Sequence, residues 1–253
     1  MYPIIVKIGP FCIYSYGLMV AVGFAAATLL ACRHAGEFSI NKDKVIDLAI
    51  VMLAGGIIGA RIVYIALNFQ YYIKNPLETI NLTKGGLVWY GAFIFGMLAA
   101  AWFLRRNKIN FWSAADLFAP YIALAQAFGR IGCFLNGCCY GSVAPAGFVL
   151  GDILPGETVC RYPTQILSAI ALFLIFVVLR IWQKKRHFAG EIFIAYGLLY
   201  SGKRFGVEFF RGDYPKILYG LTISQLISVA IFIVCSGLFI HRYLKWKRSI
   251  KSA

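Results

Sequence analysis

Acid is what this 253-residue chain has least of. Ten aspartates and glutamates stand against twenty-five lysines and arginines, and histidine occurs three times. Charged residues make up 14% of the chain, where a soluble domain carries about 25%. These shortages exclude several chemistries. There is no carboxylate dyad, no Ser-His-Asp set and no glycine-rich loop that would cradle a nucleotide phosphate. His34, His187 and His241 are too few and too scattered to complete a metal site. The seven cysteines (Cys12, Cys32, Cys133, Cys138, Cys139, Cys160 and Cys235) include an adjacent pair, which is not a zinc spacing. No metal and no cofactor is expected. The opening MYPIIVKIGPF has neither a cationic start nor a small-residue cleavage site, so no signal peptide is expected.

What the chain has is apolar length. Hydrophobic residues make up 60% of it and the mean hydropathy is +0.74. A helix crossing a bilayer needs about 20 mostly apolar residues. Seven segments qualify: residues 13–32, 45–67, 86–104, 112–135, 163–182, 188–210 and 219–244. The sixth ends in SGKRFGVEFF, which is apolar and charged by turns. The expectation is an all-α, polytopic membrane protein with seven transmembrane helices, a single transmembrane domain over residues 1–253.

Loop charge sets the orientation. Fifteen lysines and arginines fall on one side: Arg33, Lys42 and Lys44; Arg105, Arg106 and Lys108; Arg180, Lys184, Lys185 and Arg186; and Arg242, Lys245, Lys247, Arg248 and Lys251. Six fall on the other: Lys7, Lys74, Lys84, Arg161, Arg211 and Lys216. The N-terminus is therefore expected outside and the C-terminus in the cytoplasm. The net charge of +15 is a topology signal. The cations are spread over short loops with no basic module, which argues against a nucleic-acid partner.

Arg61, Arg130, Lys203 and Arg204 remain, inside or at the end of expected spans. Charge in a span is costly and usually faces a cavity or a partner. Lys203 reads as a side chain snorkelling to lipid phosphates. A rise of about 1.5 Å per residue puts Arg61, Arg130 and Arg204 about 24–27 Å above their cytoplasmic starts. Tyr16 and Tyr90 fall about 5–6 Å below the outer ends of theirs. The five thus share a layer at head-group depth on the outer side. Guanidinium binds phosphate bidentately and phenol hydroxyls donate to its oxygens, so the layer suits a lipid phosphate. Arg204, Glu208 and Arg211 lie four and three apart, on one helical face. Glu208 is either one half of a structural ion pair or the residue that holds Arg204 for a ligand. A seven-helix transporter is the rival from another class. It should show broken helices, repeated halves and charges near the midplane, whereas these charges lie near one face and no internal repeat is visible.

Gly55 and Gly59, four apart in AGGIIGA, allow close helix packing. Cys138, Cys139 and Cys160 face outward, where disulfides are permitted. A bridge from Cys160 to Cys138 or Cys139 and three free thiols both remain open.

YSYGLM, GARIVY, GGLVWYGAFIFG, GRIGCFLNGCCYG, YPTQ, GEIFIAYGLLYSGKRFGVEFFRGD and GLTISQ follow one another along nearly the whole chain. With these motifs the chain resembles the bacterial prolipoprotein diacylglyceryl transferases, GRIG with its trailing NG and YG being the most specific. The resemblance implies a multi-pass protein of the bacterial cytoplasmic (inner) membrane with its active site towards the outer leaflet. It implies transfer of the diacylglyceryl group of phosphatidylglycerol to the lipobox cysteine thiol of a preprolipoprotein, glycerol phosphate leaving, with no cofactor. Tyr16, Arg130, Gly141, Arg204 and Glu208 stand where that family has its essential tyrosine, two arginines, glycine and glutamate. Taken with the layer at head-group depth, the expected catalytic residues are Arg130, Arg204, Tyr90, Tyr16 and Glu208, and the expected substrate-binding residues Arg130, Arg204, Arg61, Gly141 and Asn136. Three positions depart: Tyr90 replaces a usual histidine, Cys133 a usual asparagine, and Cys138 a usual acidic residue. They leave the general base unassigned. They also motivate a rival, a transferase of the same fold with another acceptor such as a glycan or a lipid.

Overall fold

The structure, a computed structural model, describes residues 2–8, 11–79, 86–143, 161–211, 217 and 220–251. Each of the seven expected segments holds one long helix: α1 (Ser15–His34), α2 (Lys42–Leu67), α4 (Trp89–Arg106), α5 (Phe111–Asn136), α6 (Thr164–Gln183), α7 (Glu191–Glu208) and α8 (Ile223–Lys251). A short helix, α3 (Phe69–Lys74), and two 3-10 turns, Ala35–Phe38 and Pro76–Thr79, complete the helical structure of the described residues. Among the described residues five helical stretches are long and apolar enough to cross a membrane: Ser15–Phe38, Lys42–Leu67, Phe111–Asn136, Thr164–Gln183 and Ile223–Lys251. Their outward residues include Leu29, Ile58, Leu174 and Ile233, each more than half exposed. In water such a surface would be a liability, and in lipid it is a match.

Two strands precede α1. β1 (Ile4–Ile8) pairs antiparallel with β2 (Phe11–Tyr14). The hairpin was not expected, although IIV is β-branched and the Gly9-Pro10 pair that follows reads as a turn. Ser15, fully buried, ties the start of α1 back to the hairpin through its backbone N–H and its hydroxyl, both donated to the Pro3 carbonyl.

The chain divides into two compact units, Cys32–Ala114 and the remainder, Met1–Ala31 with Ala115–Ala253. In the first, α2 packs along α4. A Cβ on Gly59 would lie 2.7 Å from the Gly91 carbonyl oxygen and 2.2 Å from the Phe95 Cβ, so this pair requires the glycine.

The second unit is built on α5 to α8. Ala119 and Ala123 of α5, Ile175 and Leu179 of α6, and Ile192 and Ala195 of α7 form its core. One end of that core is held by polar groups. The carboxylate of Asp116 on α5, fully buried, accepts the N–H groups of Gly190 (2.6 Å) and Phe193 (2.9 Å) and so caps α7. Gln183 donates to the Asp116 carbonyl at 2.7 Å, and Trp182 donates its indole N–H to Glu191 at 2.9 Å. These bonds fix the start of α7, and its far end then carries the charged residues.

Candidate active site

The last two turns of α7 carry Arg204 and Glu208, and Arg211 follows them. The Glu208 side chain is 0% exposed, with Arg204 Nη2 at 3.1 Å and Arg211 Nε at 3.9 Å from its Oε2. Its Oε1 accepts the hydroxyl of Thr222, just before α8, at 2.9 Å. Arg204 Nη2 also donates to Ser224 Oγ at 2.8 Å. A buried carboxylate is tolerable only when charge and hydrogen bonds surround it, and here two guanidiniums and a hydroxyl do so. One nitrogen of Arg204 is thereby anchored and its fork oriented. The GLTISQ motif supplies Thr222 and Ser224, to which sequence reasoning gave no role.

The end of α5 supplies the second wall. Gly137 takes a left-handed conformation (φ 76°) after Asn136, and the Cys138 N–H returns to the Cys133 carbonyl at 3.1 Å. This is a Schellman cap, which brings side chains five residues apart together at a helix end. Cys139 is also left-handed (φ 60°). As a result the Sγ atoms of Cys133, Cys138 and Cys139 lie within 4.8 Å of one another. The Cys139 thiol is lowered to about 5 by its hydrogen bond with the Cys133 thiol, with the charges of Arg211 and Arg130 acting in the same direction. The expected partner in a disulfide, Cys160, lies outside the described residues, and Cys138 and Cys139 are free thiols.

The loop after α5 is held by α6. Thr164 Oγ1 donates to the Cys139 carbonyl at 3.0 Å and Gln165 Nε2 to the Cys138 carbonyl at 2.9 Å. The YPTQ motif is thus the clamp for this loop. Gly141 then forms a bridge with Arg211, and its N–H donates to the Tyr162 carbonyl at 3.1 Å. A Cβ at this glycine would lie 2.5 Å from the Tyr162 oxygen and 2.8 Å from the Phe210 oxygen. Gly141 therefore joins the loop after α5 to the ends of α6 and α7, a reason for glycine that substrate contact does not require. Asn136, the last residue of α5, is exposed.

Arg130 has no ion-pair partner among the described residues. Its charge acts on Tyr16, on Cys139, on Lys203 and on Arg204. Tyr16 reaches this group because Gly132, two residues along α5, admits the backbone of α1: a Cβ there would lie 3.3 Å from the Tyr16 Cα. Lys203, expected to snorkel, feels Arg130, Arg204 and Arg211 and sits over the Tyr200 ring at 5.3 Å. Four cations are thus gathered with Glu208 as the one carboxylate described among them. Sequence reasoning placed two of the four here. It counted Arg211 as loop charge while placing it on one face with Arg204 and Glu208, and gave Lys203 to lipid.

Two expected site residues belong to the other unit. Arg61 is 8% exposed. Its Nη2 donates to the Glu78 carbonyl (2.6 Å), Nε to Thr79 (2.9 Å) and Nη1 to Gly86 (3.3 Å), and its guanidinium lies over the Tyr64 and Tyr72 rings. Its three nitrogens thus tie the turn at Glu78 and Thr79, and Gly86 just before α4, to α2. Tyr90, in the first turn of α4, is 71% exposed.

Comparison with known proteins places these observations in a family. Residues 3–241 match the prolipoprotein diacylglyceryl transferase family. The phosphatidylglycerol–prolipoprotein diacylglyceryl transferase of Clostridium tetani is 34% identical over 252 residues, covering 98% of this chain and 100% of its own. The second such transferase of Clostridium perfringens is 38% identical over 241 residues, 93% and 92% of the two chains. That of Bacillus cereus is 33% identical over 237 residues, 90% and 87%. With the match running from the hairpin to the last helix, this chain belongs to the prolipoprotein diacylglyceryl transferase family.

Proposed function

We propose that this protein transfers the diacylglyceryl group of phosphatidylglycerol to the lipobox cysteine thiol of a preprolipoprotein, in the bacterial inner membrane and from the outer leaflet. The observation that carries the reading is the meeting of Arg130 and Arg204, with Lys203 and Arg211 beside them, around the buried carboxylate of Glu208. Such a cluster beside apolar helix faces suits an anion with a hydrocarbon body. Seven spans with the N-terminus outside would put the cluster at the outer face.

The chemistry follows from what these groups offer. Phosphatidylglycerol enters sideways from the leaflet. Arg130 and Arg204 hold its phosphate, Arg204 being steadied by Glu208 and Ser224. The acceptor sulfur attacks the glycerol carbon bonded to the phosphate oxygen. A C–S bond forms, the C–O bond breaks and glycerol phosphate departs with the electron pair. The thiol proton passes to solvent, because the thiolate is the nucleophile and cationic surroundings favour it. Charge grows on the departing phosphate, and fixed donors aimed there lower the barrier most. Tyr16 and Tyr90 donate hydrogen bonds to the phosphate or the leaving oxygen. Arg61, with its nitrogens on carbonyls, supports the loop that leads to Tyr90. No covalent lipid intermediate forms on Cys133, Cys138 or Cys139.

The test is transfer by purified protein from phosphatidylglycerol to a lipobox peptide, read by mass spectrometry. A peptide heavier by one diacylglyceryl group is expected. An unmodified peptide together with lipid transfer to a glycan or a second lipid would overturn the assignment of the acceptor.

A further inference from the structure

Cys133, Cys138 and Cys139 have no part in that mechanism, yet the fold takes trouble to gather them. The Schellman cap at Gly137 brings Cys133 and Cys138 together, the left-handed turn at Cys139 folds the third sulfur back, and two side chains of α6 pin the carbonyls of both loop cysteines. A non-glycine residue in the left-handed region carries strain, and such residues cluster where geometry is used. Gln165, which anchors Cys138, keeps its Oε1 buried with no hydrogen-bond donor among the described residues.

We propose that Cys133, Cys138 and Cys139 form a three-sulfur site for a soft, thiophilic d10 cation such as Cu(I) or Zn(II). Three thiolates at metal–sulfur distances of about 2.3 Å stand about 4 Å apart. The sulfurs already lie within 4.8 Å of one another, so closure needs side-chain adjustment and no movement of the helix end. Soft thiolate donors select these ions over magnesium or calcium. Charge also fits. Three thiolates leave a net negative centre around a monovalent or divalent ion, and the Arg130 and Arg211 charges that act on Cys139 offset it. On binding, three S–Metal bonds form and the thiol protons pass to solvent. Adjacent cysteines hide this site from spacing rules, because its third ligand comes from inside α5. The site stands apart from the lipid reading, and its readout uses no transferase activity.

The test uses the full-length protein, purified without added metal in detergent. Cd(II) is titrated as an optical probe of sulfur-to-metal charge transfer, and Cu(I) and Zn(II) are each titrated against a chelator of known affinity. One Cd(II) per chain is expected, with the band intensity of three thiolates and competition by Cu(I) or Zn(II). Cys133→Ser, Cys138→Ser and Cys139→Ser should each lower the band by roughly a third. Each should weaken binding by about 100-fold or more, since even outer-shell losses cost 10–100-fold. Cys235→Ser should change neither, and elution volume reports that each variant is folded. Absence of stoichiometric binding by the wild type, or binding that survives all three substitutions, would overturn the site. So would native protein isolated with Cys133 in a disulfide to Cys138 or Cys139.

Discussion

At the scale of single residues, the four cations differ in what they are free to do. Arg204 is anchored by Glu208 and Ser224, whereas Arg130 has no ion-pair partner among the described residues. Arg130 is therefore the side chain whose fork is most available to a phosphate. Arg130→Lys keeps the charge and loses the planar pair of donors. Losing one charge-assisted hydrogen bond costs about 1.5–3 kcal/mol, so transfer should fall about 10- to 150-fold or more. Near-normal transfer by this variant would mean that positive charge alone suffices. Tyr90 poses the opposite question, since a histidine there would serve as a base near neutral pH and a neutral phenol is a poor one for a thiol. Tyr90→Phe should slow transfer about 10- to 150-fold without abolishing it, and the rate should still rise with pH through the acceptor thiol's pKa. A Tyr90→Phe protein with no measurable transfer at any pH would make Tyr90 the base.

At the scale of elements, the site depends on how α7 is held at both ends. At its start, the Asp116 carboxylate accepts Gly190 and Phe193 N–H groups. Asp116→Ala removes this cap and should cost about 0.5–2 kcal/mol, as cap losses do. The thermal midpoint of the detergent-solubilised protein should drop, while transfer per folded molecule stays close to wild type, because the charges lie about 20–27 Å further along the helix. At the other end, Gly141→Ala would push a methyl against two backbone oxygens, of Tyr162 and Phe210, which cannot rotate away as a side chain does. Overpacking of this kind costs about 1–3 kcal/mol, and here it separates the loop after α5 from Arg211. Both the midpoint and the transfer rate per folded molecule should fall. An intact midpoint with lost transfer would instead favour direct substrate contact at Gly141. The helices were legible in the sequence because apolar length is a strong and local signal. The hairpin β1–β2 was not, since strands of five and four residues before a long apolar run are masked by it. The Asp116 cap was not either, because a buried acid in one helix and the N–H groups of another share no spacing along the chain. Tyr16, Arg130, Arg204 and Glu208 could be picked out by their cost in a membrane and by motif. Arg211 was legible through its spacing from Arg204 and Glu208; the thiol cluster was not, since only the folded turn after α5 gathers it, and Lys203 reads in sequence like any lysine near a helix end.

At the scale of the whole molecule, the remaining question is how many of these helices cross. The two long helices absent from the five apolar spans are α4 and α7, each 18 residues. An 18-residue helix reaches about 27 Å, close to the hydrocarbon thickness of about 30 Å. What lowers the hydropathy of α7 is its last two turns, with Lys203, Arg204 and Glu208, so the residues that make the site also make its helix read as a poor span. In α4 the charged pair Arg105-Arg106 sits in the final turn, where a cytoplasmic boundary would want it. Five spans and seven spans are both odd, so locating the two termini alone cannot tell them apart. The loops on either side of α4 and α7 can. If all seven cross, Lys74 lies outside while Lys108, Lys184 and the end of α8 lie in the cytoplasm. Alkaline phosphatase fused after Lys74 should be active, and green fluorescent protein fused after Lys108, Lys184 or Lys251 should fluoresce. A Lys108 fusion that is active as phosphatase and dark as fluorescent protein would mean that α4 does not cross. Tyr90 would then remain on the outer side, because Lys74 and Lys108 would both lie there, and only the span that sets its depth would be lost.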